Sequence, residues 1–432
     1  MMADVRPLGG KRLLVIGATD NEIELVKRAQ ELGAWVAVTD NHRDWDDAPA
    51  KYVADEAWDI SWSDIDSMRA ACEESGVDGA AAGWSEFRCE NLIKLCERMG
   101  WPCYITPEQL EVTRDKVRFK QACREYGVPV VREFATPADV DAFPVIVKPV
   151  DRAGSIGIGI ASDEEELEAR YAEALDASPT GHVIIEEYVG DQTKFDAFYL
   201  VADGEGRLLT SDDVVNSSHN GMRRVVQSAW LLPSRHQGAF VGSAADEGLR
   251  SLIRGLGIRD GYIFFSGFTD GESFRFFECG FRLCGSHLAE YLRRLGEPDI
   301  LDVHICHALL GTVRPALEWA DSGDPALRQA TINVYANAGT VGEIRGFEEV
   351  SAMPDCVYCM QRGRTGQRCE DGAAILSKMG MCYFVNRSAD ALAADVAAVN
   401  ATIEVLDEDG HDMVHDRVDP DVVRGWWKET SR

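Results

Sequence analysis

The sequence predicts an α/β protein: a parallel sheet with helices on both faces comes first, and lobes of mixed α+β texture follow. Three observations predict it. Apolar strands alternate with helical stretches from residue 11 to residue 99, the rhythm of parallel strands joined by helical crossovers. From residue 143 that rhythm gives way to a glycine-rich loop held between two short strands. Further on, two strands close on Asp270-Gly271, a dipeptide suited to a tight reversal.

Each element has its own justification. Residues 11–16 are an uninterrupted apolar strand, 18–33 a helix with acids in its first turn, and 35–39 a second strand ending at Asp40. Residues 65–75 and 86–99 read as helices around a short buried strand at 79–83. The first turn, Gly17-Ala-Thr-Asp20, lacks the full G-x-G-x-x-G spacing, which disfavours a nicotinamide-binding oxidoreductase. Two helical segments cover 107–116 and 117–127, the second stopped by Gly127 ahead of Pro129. Strands 144–149 and 156–161 flank the glycine-rich loop, and the acidic stretch 163–177 is a helix. Strands follow at 182–188, 195–202 and 207–214, then a basic, polar loop at 216–224. A helix at 244–257 precedes the hairpin 262–269 and 273–279. Beyond about residue 330 come short strands, many glycines, one helix at 389–400 and a polar segment at 407–432.

A chain of 432 residues is too long for one small core and fits about three domains or lobes. Apolar residues make up 45% and charged residues 27%, the balance of a soluble globular protein. The formal net charge of −29 argues against nucleic acid and against anionic membranes as partners. No apolar run reaches spanning length and residues 1–11 do not form a signal peptide. The 12 cysteines do not form a dense framework and read as reduced thiols of a cytoplasmic protein. Cys356 and Cys359 fall on a strand-like stretch, which would turn them to opposite faces and away from a shared zinc. His304 and His307 lie on an apolar helix-like stretch, where packing is the expected role.

Four segments carry chemistry. Asp115-Lys116 opens a helix, and Lys148 ends a strand just before a loop bearing Gly154, Ser155, Gly157 and Gly159. A lysine supplies a point charge, and glycines let backbone N–H groups close on phosphate oxygens. Val183-Ile-Ile-Glu-Glu-Tyr-Val189 is an apolar strand ending in two acids, and Phe276-Phe-Glu-Cys-Gly-Phe-Arg282 presents Glu278 and Arg282.

In order and spacing these segments resemble the ATP-grasp superfamily of carboxylate–amine (and carboxylate–thiol) ligases over roughly residues 10 to 310. The resemblance implies an N-terminal α/β domain preceding the grasp at 1–112, a small lobe with a glycine-rich lid at 113–190, a large lobe at 191–325 and a C-terminal α+β lobe at 326–432. It implies ATP and Mg²⁺ as cofactors. Lys116, Lys148, Gly154, Ser155 and Gly157 would meet the phosphates, and Glu186, Glu187 and Val189 would lie along the adenine. Asp191 or Asp196 would contact the ribose, Glu278 would hold the metal, and Arg282 would act with Lys148 at the reacting phosphoryl group. Arg223, Arg224 and His287 are candidates for gripping an anionic substrate. The implied reaction activates a small carboxylate as an acyl phosphate and joins it to an amine, giving ADP and phosphate. Family members are often dimers, so a homodimer is compatible with the resemblance.

The chain also departs from the family. Where the pattern is Glu-x-Asn-x-Arg it has Gly280, and Ser266 stands near the position of a second acid. Neither supplies a good Mg²⁺ ligand. A noncatalytic or regulatory nucleotide-binding protein on the same fold is therefore the alternative.

Overall fold

The computed structural model describes residues 7–151, 157–190, 192–217, 226–370 and 374–428. Four strands, β1 (Arg12–Ile16), β2 (Trp35–Thr39), β3 (Glu56–Trp58) and β4 (Gly79–Ala81), form a parallel sheet in the order β3-β2-β1-β4. Leu13 and Val15 of β1 join one apolar cluster while Leu14 and Ile16 join another. A strand covered on both faces is why its sequence is continuously apolar. The first helix spans Glu22–Glu31, shorter than the 18–33 the sequence predicts. Its start is delayed because the Thr19 N–H and hydroxyl both donate to the Glu22 carboxylate at 2.7 Å. That carboxylate is buried and also paired with Arg88.

A second, antiparallel sheet contains β5 (Glu133–Phe134), β6 (Val145–Pro149), β7 (Gly159–Ala161) and β8 (Val183–Glu187), in the order β5-β8-β6-β7. Val145, Val147 and Ile185 pack one of its faces against Leu167 and Ala174 of the helix Glu164–Ala177. That helix starts where it should: the Asp163 side chain accepts the Glu166 N–H at 2.9 Å, and three acids fill the positive first turn.

The remaining strands are β9 (Thr193–Ala202), β10 (Glu205–Asn216), β11 (Gln227–Leu232), β12 (Gly261–Thr269), β13 (Phe274–Gly280), β14 (Arg328–Tyr335), β15 (Gly339–Arg345), β16 (Cys356–Gln361), β17 (Arg368–Cys369), β18 (Lys378–Asn386) and β19 (Glu404–Asp407). Eight of them form one sheet in the order β13-β12-β9-β10-β11-β14-β18-β16, and β17-β15-β19 form a small one. Neighbours in the large sheet are antiparallel throughout. Alternation decides its faces. Phe195, Ala197 and Tyr199 of β9 pack with Leu249 and Leu252 of the helix Ala244–Gly255. Phe198 and Leu200 turn to the other side, into a core shared with the parallel sheet and the helix Ile300–Leu310.

β16 corrects one expectation. A bulge between Cys356 and Tyr358 adds a residue to the strand, so Cys356 and Cys359 share a face. Cys359 Sγ lies 3.3 Å from Cys382 Sγ on β18. His304 is buried, and its Nδ1 donates to the Ile300 carbonyl, 2.9 Å away. Among the described residues, no helix is long and apolar enough to cross a membrane.

Candidate nucleotide site

A cleft of about 270 Å³ lies between the β5–β8 sheet and the β13 end of the large sheet. Its wall is built by strand alternation. Val145 and Val147 of β6 face the helix beneath, so Ile146 and Lys148 face the cleft. On β8 the register pairs Ile146 with Glu186 and Lys148 with Ile184, which sets Glu186 beside Lys148. The helix Lys116–Glu125 adds the other cations. Asp115 caps it, accepting the N–H groups of Val117 and Arg118 at 2.9 and 3.0 Å, so Lys116 is its first residue and Lys120 lies one turn on.

Charge is concentrated here. The buried Glu186 carboxylate receives both Lys120 and Lys148, the latter at 2.5 Å. Lys120 is also buried and reaches Glu133 at 2.8 Å. Burial, then the neighbouring charges of Lys120 and Lys116, push Lys148 down from the ordinary lysine value to about 7. Burial likewise lowers Lys120. Such a cluster, with Lys116 and Lys148 on the cleft wall, favours an incoming polyanion.

Apolar side chains share the cleft with these charges. Val131, Ile146, Ile158 and Phe277 line it, the Phe277 ring 5.0 Å from Lys148 Nζ, a surface that suits a planar heterocycle. The chain segment after β8 borders the cleft: the Glu187 N–H donates to the Arg132 carbonyl at 3.0 Å and the Tyr188 N–H to the Pro144 carbonyl at 3.1 Å. Glu187 accepts the Arg132 N–H at 3.0 Å and pairs with Arg275. Glu278, Phe268 and Lys194 supply the floor.

The structure thus brings Lys116, Lys148, Glu186, Glu187, Val189 and Glu278 to one cleft. Glu186 does not merely lie along it: its side chain holds two lysines. Gly157 sits at the foot of the loop with φ +73°, where a side chain would meet Pro149 and Ala177. Arg282 does not line the cleft. Its Nε and Nη2 donate to Glu86 at 2.7 and 2.6 Å, so a phosphoryl contact needs that pair to open. His287 lies elsewhere, between Trp84 and Tyr358, whose ring centroids are 6.5 and 4.7 Å away. Its Nδ1 meets Glu24 and its buried Nε2 has no partner among the described residues. Gly154, Ser155, Asp191, Arg223 and Arg224 fall outside the described residues.

Sequence reasoning missed Lys120, Lys194 and Asp212. Lys120 had a signal, since it follows Lys116 by four residues on a helix. Asp212 is wholly buried, and both its oxygens lack a hydrogen-bond partner among the described residues.

Fit to a divalent ion is partial. Glu278 offers one carboxylate on the cleft floor, enough for an ion that takes its other ligands from nucleotide and water. Gly280 offers none, and a Cβ there would lie 2.5 Å from the Phe264 ring, so a ligating side chain would require that ring to shift. Ser266 is buried opposite Glu278 in the strand register.

Comparison with known proteins agrees with this geometry. Residues 115–237 match the model of the carbamoyl-phosphate synthase L chain, ATP binding domain. The 2-oxoglutarate carboxylase small subunit of Hydrogenobacter thermophilus is 26% identical over 268 residues, 55% of this chain and 56% of that one. The chain thus spans about half the length of the curated relatives it matches. Among solved structures, the L-amino acid ligase of Bacillus licheniformis superposes with TM-score 0.72 at 19% identity, over 92% of this chain and 99% of that one. The biotin carboxylase domain of the Hydrogenobacter thermophilus 2-oxoglutarate carboxylase, solved with MgADP, ADP and bicarbonate, gives 0.70 at 19%, over 91% and 90%.

Proposed function

We propose that this chain, which has the ATP-grasp fold, is an ATP-dependent ligase that activates a small carboxylate as an acyl phosphate and joins it to an amine, releasing ADP and phosphate. The observation that carries the proposal is the mixed lining of one cleft: apolar Val131, Ile146, Ile158 and Phe277 together with Lys116, Lys148 and Glu278. Phosphoryl transfer asks for cations around the transferring oxygens and little covalent help from the protein. Lys148 would neutralise phosphate charge, and Glu186 would fix its position. A Mg²⁺ ion on Glu278 would supply further charge neutralisation when bound. Water must be kept from an acyl phosphate, a task for the loop after β6.

The test is turnover. ATP and Mg²⁺ are supplied with pooled small carboxylates and amines, and phosphate release and product mass are followed. Phosphate release that needs both pools, with a new amide in the mass spectrum, is the expected result. Nucleotide binding without turnover in any pool would favour the second reading, a noncatalytic nucleotide-binding protein. Two observations favour that alternative: the crowded position at Gly280 and the engagement of Arg282 by Glu86.

A further inference from the structure

The large sheet carries a row of acids that the nucleotide reading does not use. Strand register sets Asp212 of β10 opposite Asp196 of β9, Asp196 opposite Ser266 of β12, and Ser266 opposite Glu278 of β13. Directly opposed residues share a face, so these four side chains form one line across four strands. Lys194 stands two residues from Asp196 on that face. Its Nζ lies 2.7 and 3.0 Å from the two Asp196 oxygens, and its charge interacts with Asp212 and Glu278 as well. Lys194 lines the cleft although little of its side chain is exposed.

Two features separate this arrangement from an ordinary surface ion pair. Asp212 is wholly buried with both oxygens unpartnered among the described residues, a costly state for a carboxylate; burial pushes its carboxyl well above the ordinary range and the Lys194 charge opposes that push. The row also lies beside the position where Gly280 and Ser266 fail to offer metal ligands. The ammonium of Lys194 is the cation this row has at hand, 2.7 Å from Asp196 and within electrostatic reach of Asp212.

We propose that Lys194 is a resident cation of the cleft, doing the electrostatic work of a second divalent ion, and that Asp196 and Asp212 hold it there. The inference rests on the nucleotide reading above. With Lys194 in place the nucleotide complex takes a single divalent ion, on Glu278. Lysine is a compact, strongly hydrated point charge, so it can serve phosphate oxygens without a coordination geometry.

The test uses the full chain with Mn²⁺ and the nonhydrolysable analogue AMP-PNP, counting bound Mn²⁺ by electron paramagnetic resonance. Binding of the analogue is measured separately by calorimetry. Wild type is expected to bind the analogue with one Mn²⁺ per chain. Lys194→Met should then take up a second Mn²⁺, because Asp196 and Asp212 lose their cation, whereas Lys194→Arg should stay at one. Two ions in wild type overturn the proposal even if neither variant folds. One ion in a folded Lys194→Met overturns it too, as does a second ion in Lys194→Arg. Absence of analogue binding by wild type would instead sink the nucleotide reading, and this inference with it.

Discussion

On the proposed nucleotide reading, Lys148 should make nucleotide affinity depend on pH, with a sign that follows from its burial. Its ammonium is buried, 2.5 Å from Glu186, and shares that carboxylate with Lys120. Burial and the two neighbouring lysines bring it to about 7. A bound triphosphate favours the protonated form and restores a value nearer the ordinary lysine range. Below the free value Lys148 is already charged, and affinity should not vary on its account. Above it each binding event must take up a proton, and affinity should fall up to tenfold per pH unit. Between about pH 5.5, on the acid plateau, and about pH 8.5 the loss is about 30-fold, or ~2 kcal/mol at 1.36 kcal/mol per unit. Calorimetry of AMP-PNP across that range, in buffers of differing ionisation enthalpy, reads both affinity and proton uptake. Lys148→Arg is the control, since a guanidinium stays charged throughout. A flat wild-type profile, or an equal slope in Lys148→Arg, would refute the reasoning.

Three further outcomes follow from the site. Glu278→Gln should weaken Mn²⁺ uptake by the AMP-PNP complex at least tenfold while leaving metal-free analogue binding within a few-fold, as resonance and calorimetry would register; unchanged Mn²⁺ uptake would remove Glu278 as the ligand. Gly280→Asn should destabilise the fold by about 1–3 kcal/mol in urea denaturation, because its Cβ would meet Phe264 at 2.5 Å, and combining it with Phe264→Leu should recover part of the loss; an unperturbed single variant would contradict the packing. Arg282→Ala should depress turnover more than nucleotide affinity, and once a substrate pair is known, normal turnover in this variant would exclude Arg282 from the chemistry.

Much of the fold was legible because alternation is a local property. The continuous apolar run of β1 reports a strand covered on both faces, and the Asp270-Gly271 reversal is held where expected, with Asp270 accepting N–H groups from Glu272 and Ser273. Lys116, Lys148 and Glu278 were legible for a related reason: each sits at a helix start or on a strand, and its direction follows from its neighbours. What escaped depends on pairing between distant strands. Nothing local to Lys194 announces Asp212, because fifteen residues of chain and a strand reversal separate Asp196 from Asp212. The bulge at Cys356–Tyr358 is equally silent, since a single extra residue reverses which side chains share a face. Arg282 shows a third limit. Its motif spacing points it at the phosphates, but Glu86 on another helix competes for it.

The departures at Gly280 and Ser266 acquire a structural meaning only when they are taken together with Phe264 and Lys194. A glycine at 280 in an otherwise intact fold could mean decay of a metal site. Decay, however, relaxes selection on what surrounds the site, and a random side chain would not fill the vacated space well. Here the Phe264 ring lies where a side chain at 280 would project, and Asp196, next along the sheet, pairs with the Lys194 ammonium. A cleft that merely retained nucleotide as a structural prop would have no need to keep its cationic charge balanced so closely, with Lys120 and Lys148 on Glu186 and Lys194 on Asp196. On the proposed reading, the cleft handles developing negative charge with one of its cations supplied by the chain itself.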